Sequence, residues 1–206
     1  MEDLSKRPQN GRQIEFKPHK RIFMKKIIIS GLLLAITAFA QCTYQSDTAK
    51  VTWKAFKTYE KIGVAGSFNQ ITFTPKTAQN LEELLTGSRV LIDTKSVNSG
   101  NAGRDATLVA SFFKIQNVTS IDAKIVSVKD AKALVQITMN EITKTIPMAY
   151  TVQEGKVVAK GTIDLGDFTM LSSLQAINKS CFDIHGGKTW QDVEIGFEIP
   201  TKSDCK

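Results

Sequence analysis

Asp192-Val193-Glu194-Ile195-Gly196-Phe197-Glu198-Ile199 alternates without a break, with apolar side chains at 193, 195, 197 and 199 and acidic or glycine positions between them. Successive side chains of an extended strand point to opposite faces, so this run reads as a β-strand with one face buried and the other wet. The same period of two recurs in Val51-Thr52-Trp53-Lys54-Ala55, in Val135-Gln136-Ile137-Thr138-Met139 and in Ile146-Pro147-Met148-Ala149-Tyr150, and further β-rich runs cover 62–74, 89–97, 121–128 and 157–165. Together they make about eight strands. Connections such as Lys129-Asp130-Ala131-Lys132 and Glu154-Gly155-Lys156 are short and turn-like, which joins neighbouring strands as antiparallel hairpins. A meander of this size closes well on itself, so the expected fold is all-β: an eight-stranded antiparallel barrel with short helical inserts. Helical signal is confined to 77–85, where Leu81, Leu84 and Leu85 share one side, to 101–113 and to 168–178. Those inserts are expected as lids and plugs at the barrel ends. The first and last strands must pair, and a register that sets Val51 opposite Gly196 also sets Cys42 opposite Cys205.

Upstream of the first strand, Lys25 and Lys26 precede an apolar run over 27–40, broken only by Ser30, Gly31 and Thr37 and closed by Ala38-Phe39-Ala40. Basic start, apolar middle and small-residue end are the order of a secretory signal peptide. The run is about 14 residues, short of the ~20 that span a bilayer as a helix. The expected organisation is therefore an N-terminal extension and signal peptide over 1–40, the signal itself at 24–40, followed by one barrel domain over 41–206. Gln41 is too large for the small residue that lipidation of Cys42 requires, so no stable membrane insertion is expected after cleavage. The location implied is periplasmic or secreted, by a bacterial export signal. Residues 1–23 read as a long basic leader or as sequence ahead of a true start at Met24.

The leader also disposes of the charge. Of 27 Lys+Arg and 20 Asp+Glu, eight and three fall in the first 40 residues, which leaves a net charge of about +2 on the remainder. A sequence pI near 9.3 is thus no sign of a nucleic-acid partner, and none is expected. Cysteines stand at 42, 181 and 205, and an odd number in an oxidising compartment implies one bridge and one free thiol. Register makes Cys42 and Cys205 the candidate pair.

No phosphate loop, metal-ligand spacing or catalytic triad is present. In Cys181-Phe182-Asp183-Ile184-His185-Gly186-Gly187, a cysteine and a histidine four apart could form a thiolate–imidazolium pair. The preferred reading is a loop cysteine and a surface histidine beside a Gly-Gly turn, and the protein is expected not to be an enzyme. Neither a metal nor a cofactor is expected.

The informative motif is Ile92-Asp93-Thr94-Lys95-Ser96-Val97-Asn98-Ser99-Gly100-Asn101-Ala102-Gly103-Arg104-Asp105, continuing through Leu108 to Phe112-Phe113. It reads as a strand, a polar turn and a helical segment that ends in adjacent aromatics. Arg104 and Asp105 could pair with each other, cap the segment or face a ligand, with pairing the default. Ile92-Asp93, Ser96-Val97, Gly100-Asn101, Arg104-Asp105, Leu108 and Phe112-Phe113 resemble, in order and spacing, the signature of the YceI-like family of exported lipid-binding proteins. Val64-Ala65-Gly66-Ser67-Phe68 is similar to the family's Val-x-Gly-x-Phe, and the likeness runs from about Val51 to Ile199. Two departures stand out: Thr107 replaces the family's histidine before Leu, and Ser99-Gly100 replaces its Thr-Gly turn.

The resemblance implies a lipocalin-like barrel that holds a long amphiphile, such as a polyisoprenoid, an isoprenoid quinone or a fatty amide, in an apolar tunnel. Trp53, Phe68, Phe73, Phe112, Phe113, Met139, Met148, Phe168 and Phe197 are the candidates to contact the chain, and Asn101 and Arg104 the candidates for its polar head. Small or flexible Ala55, Ala65, Ala133, Met139 and Met148 among the large residues leave room for a ligand, and methionine adapts to an alkyl chain. The alternatives are an envelope structural or interaction protein with a filled barrel, and an enzyme that uses Cys181 and His185 on a lipid. A homodimer is compatible with the pattern.

Overall fold

The structure is a computed structural model that describes residues 43–203. Thirteen strands run in chain order: β1 (Tyr44–Ser46), β2 (Lys50–Lys57), β3 (Ile62–Phe68), β4 (Ile71–Phe73), β5 (Lys76–Ala78), β6 (Arg89–Asp93), β7 (Val97–Asn98), β8 (Ser120–Lys129), β9 (Lys132–Met139), β10 (Ile142–Gln153), β11 (Lys156–Asp164), β12 (Asp192–Pro200) and β13 (Lys202–Ser203). Four helices, α1 (Leu81–Leu85), α2 (Ala102–Leu108), α3 (Leu171–Ser180) and α4 (Phe182–His185), lie between them. The meander from β8 to β11 turns on Asp130-Ala131, Asn140-Glu141 and Glu154-Gly155, all with positive φ. Paired left-handed residues form the two-residue hairpin turn whose twist matches that of the flanking strands.

Ten strands form one antiparallel sheet in the order β4-β6-β8-β9-β10-β11-β12-β2-β3-β7. Its two ends meet through the chain itself. Phe68 of β3 pairs with Val97 of β7, and three residues later Ile71 of β4 pairs with Ile92 of β6. The slip between these ladders is taken up by Asn69-Gln70 on one side and by a 3-10 turn, Thr94–Ser96, on the other. Asn69 N–H donates to the Ser96 carbonyl at 2.9 Å, and Gln70 N–H donates to the Ser96 hydroxyl at 2.9 Å. The eight expected strand positions are therefore present, two of them broken in the middle. Outside these eight positions, β1, β5 and β13 make a separate small sheet.

The closing register differs from the expected one by a single residue: Val51 faces Phe197, not Gly196. Residues directly opposed in an antiparallel pair point to the same face, so inward Val51 and Trp53 must oppose inward Phe197 and Ile195. Setting Val51 against Gly196 would have turned one strand inside out. Helical bounds also shift. Residues 76–78 are strand β5, only 81–85 are helical, and the 101–113 insert changes from α2 into a π turn, Val109–Phe113. The segment expected as a loop after Cys181 carries α4.

Hairpin 58–61, turn 140–141 and α2 to α4 gather at one end of the barrel, here the upper end. The lower end carries turns 130–131 and 154–155, the small sheet and α1, whose Leu84 and Leu85 are fully buried as a plug. The expected signal peptide, Cys42 and Cys205 lie outside the described residues.

Candidate functional site

Inward side chains differ sharply around the wall. On β9 and β10, Val135, Ile137, Met139, Ile146 and Met148 are buried, whereas Val51, Trp53 and Ala55 of β2 and Val193, Ile195 and Phe197 of β12 are only partly so. Inward residues that stay accessible require an empty interior. A cavity of about 190 Å³ occupies it, bounded towards the lower end by Ala49, Ser88 and Arg89 and towards the upper end by Leu174, Ile177, Thr189 and Trp190. Its lining is almost wholly apolar. Both indole N–H groups are used elsewhere: Trp53 Nε1 donates to the Ser67 carbonyl at 3.2 Å and Trp190 Nε1 to the Thr58 carbonyl at 2.8 Å. Their rings thus present carbon to the cavity.

Of the sequence-derived candidates, Trp53, Phe68, Phe73, Phe112, Phe113, Met139, Met148 and Phe197 come together on this lining, with Ala55. The π turn brings the adjacent Phe112 and Phe113 to one surface, their rings 5.1 Å apart and edge-on, while Phe113 tilts against Phe68 at 6.4 Å. Phe168 is fully buried outside the lining, in the 3-10 turn Leu165–Phe168. Ala133 shares the inner face of β9 with Val135 and Ile137 but is fully buried off the cavity lining, and Ala65 faces outward because it alternates with inward Val64 and Gly66. Asn101 is also off the cavity, since its side-chain oxygen accepts from Arg104 N–H at 2.9 Å and caps α2. Arg104 and Asp105 do not pair. The Asp105 carboxylate instead accepts from the Ser99 N–H at 2.8 Å and the Ser99 hydroxyl at 2.6 Å, leaving the Arg104 side chain exposed. Ile121, Ala123, Ile125 and Val90 also line the cavity, and period-two extension of their strands would have found them. Trp190 has no such signal, because it lies in coil between α4 and β12.

Cys181 and His185 show no activation of the thiol. Burial pushes the Cys181 thiol up, against a smaller downward pull from Lys57. His185 is held below its ordinary value, first by burial and then by the positive charges of Lys57 and Arg104. A nucleophilic cysteine needs the opposite shift on sulfur. Among the described residues no cluster of side chains has metal-ligating composition, and no helix is long and apolar enough to cross a membrane.

The model of the YceI-like domain matches residues 43–200, most of the chain. The chain belongs to the YceI-like family. Among solved structures, a polyisoprenoid-binding domain from Saccharophagus degradans, described as implicated in plant cell wall breakdown, superposes with a TM-score of 0.53 at 8% identity over 77% of this chain and 96% of that one. BcnA of Burkholderia cenocepacia does so with a TM-score of 0.52 at 13% identity, over 75% of this chain and 96% of its own. At such identity the likeness is one of fold. No curated protein matches the sequence. Most polar residues of the YceI-like motif hold backbone here. Asp93 caps the 3-10 turn that breaks β6 from β7, Ser96 bridges to Gln70, Asn101 caps α2 and Asp105 ties α2 to Ser99. Thr107, in place of the family's histidine, donates to the Gly103 carbonyl within its own helix at 3.0 Å.

Proposed function

We propose that this protein is an exported carrier or binding protein for a long amphiphilic lipid, a polyisoprenoid, an isoprenoid quinone or a fatty amide, whose chain lies in the barrel. The observation that carries this reading is the unfilled apolar cavity, to which nearly every strand of the barrel contributes a side chain. A filled barrel with only an envelope interaction role would bury its inward residues throughout, and Val51, Ala55, Ile195 and Phe197 are not so buried. Family membership and a polyisoprenoid-binding fold relative support the same conclusion. Each methylene taken from water into such a site adds about 0.8 kcal/mol, so affinity is expected to rise with chain length until the cavity is filled. The test is native mass spectrometry of protein purified from its own host, followed by organic extraction of whatever is bound. A stoichiometric amphiphile is expected; an apo mass, with no uptake of quinones, isoprenoids or fatty amides, would overturn the reading.

A further inference from the structure

Just beyond the apolar upper end of the cavity the chain gathers polar groups. On β2, Val51, Trp53 and Ala55 line the cavity, and Lys57 continues that inward face at the mouth. Lys57 forms a β-bridge with Thr189, which itself lines the cavity. From Thr189 the chain leads straight back to α4: Lys188 N–H donates to the His185 carbonyl at 3.2 Å, and His185 N–H donates to the Cys181 carbonyl at 2.9 Å. Lys57 is near enough to act electrostatically on both Cys181 and His185, and Arg104, approaching from α2, also acts on His185. Three stretches remote in sequence, β2, α2 and residues 181–189, thus deliver their polar groups to one rim.

Those groups lack partners. Neither Lys57 nor Arg104 belongs to an ion pair among the described residues. The carboxylates nearby in sequence are engaged or exposed: Asp105 is bonded to Ser99, Asp192 lies 2.8 Å from Lys61, and Glu60 and Asp183 are exposed. Thr189 Oγ1 and His185 Nδ1, both able to donate, are buried without a hydrogen-bond partner. Buried polar atoms left unpaired are expensive, and gathered beside two unneutralised cations they mark a place for an anion with several acceptor oxygens.

We propose that this mouth binds the acidic head group, carboxylate or phosphate, of an amphiphile whose apolar chain lies in the cavity, with Lys57 and Arg104 supplying charge and Thr189 and His185 supplying hydrogen bonds. The proposal rests on the carrier reading above and narrows its ligand class from amphiphiles in general to acidic ones. It also fixes orientation: head at the α2–α4 end, tail towards α1.

The experiment compares matched pairs on delipidated protein: hexadecanoic acid against hexadecanol, and farnesyl phosphate against farnesol, each displacing the neutral fluorophore Nile red. Each acid is expected to bind about tenfold or more tighter than its alcohol, the scale of a charge-assisted hydrogen bond. Lys57→Gln, and separately Arg104→Gln on the exposed face of α2, is expected to narrow that gap by about tenfold. The ring resonances of His185 supply a second readout: an acid should raise its pKa and an alcohol should not, because a bound anion offsets the two cations. A gain confined to the phosphate pair or to the carboxylate pair supports the proposal and names the head. Equal affinity for acid and alcohol, or loss of both together in Lys57→Gln and Arg104→Gln, overturns the head-group site and leaves the carrier standing. Failure of all four compounds to bind overturns both.

Discussion

Gly66 offers the sharpest perturbation of the cavity wall. It pairs with Trp53 across β2 and β3, and both face inward. A Cβ built on Gly66 would lie 2.5 Å from the Asn98 carbonyl oxygen and closer still to Trp53 Cζ2, whereas real Cβ contacts essentially never fall below 3.0 Å. The indole can swing away; the carbonyl cannot, because Asn98 belongs to the β3–β7 ladder that closes the barrel. Overpacking of this kind costs about 1–3 kcal/mol, and the rigid backbone obstacle places Gly66→Ala at the upper end. For a chain of this size the expected fall in Tm is roughly 6–12 °C. Trp53 must also tip into the cavity, so Nile red uptake should drop with it. Gly103→Ala is the control: its Cβ would meet nothing nearer than Asn101 Oδ1 at 3.5 Å, and in α2 it should be neutral or stabilise by up to about 1 kcal/mol. Thermal melts and tryptophan emission of both variants decide the matter. Equal melting of Gly66→Ala, Gly103→Ala and the parent would refute the close-approach account of this glycine.

Leu85→Ala, at a fully buried position in the α1 plug, should lose about 2–5 kcal/mol, readable as a lower urea midpoint; a loss under 1 kcal/mol would mean that α1 does not seal the lower end. His185 has a folded pKa below its unfolded value of about 6.5, so as pH falls below that point the unfolded chain takes up the proton first and stability declines until the folded pKa is passed. The difference in Tm between pH 7.5 and 5.5 should therefore shrink in His185→Gln, and an unchanged difference would contradict the shift. Tyr44 pairs with Ser203 and Gln45 with Lys202, a register that sets Cys42 opposite Cys205 if continued. Non-reducing peptide mapping of exported protein should recover that bridge with Cys181 free; a bridge to Cys181 would sink it.

Alternation of apolar and polar residues was enough to read the strands and most of the cavity wall, because a period of two is a local property of extended chain. Trp53, Phe68, Phe197 and Met148 could be placed on the inner face from their neighbours alone. Turn residues were almost as legible, since Asp130-Ala131 and Glu154-Gly155 carry the hairpins they suggest. Parity bears on the closing pair as well: inward Val51 must oppose an inward residue, which excludes the expected Gly196 and leaves Phe197.

What the sequence by itself determined is the class of fold, the inner face of most strands of the barrel and, through the motif around Arg104-Asp105, the family. Tertiary structure alone decided where polar groups end up. Asn101 and Arg104 sit three residues apart in a motif, yet one is consumed as a helix cap while the other stays exposed, its charge felt at His185. Lys57, His185 and Thr189 share no pattern in sequence and meet only because barrel closure brings the top of β2 against the segment entering β12. Periodicity reports which way a side chain points along one strand. It carries nothing about which distant segment stands opposite, since that is set by long-range pairing and by how the helices cap the barrel end.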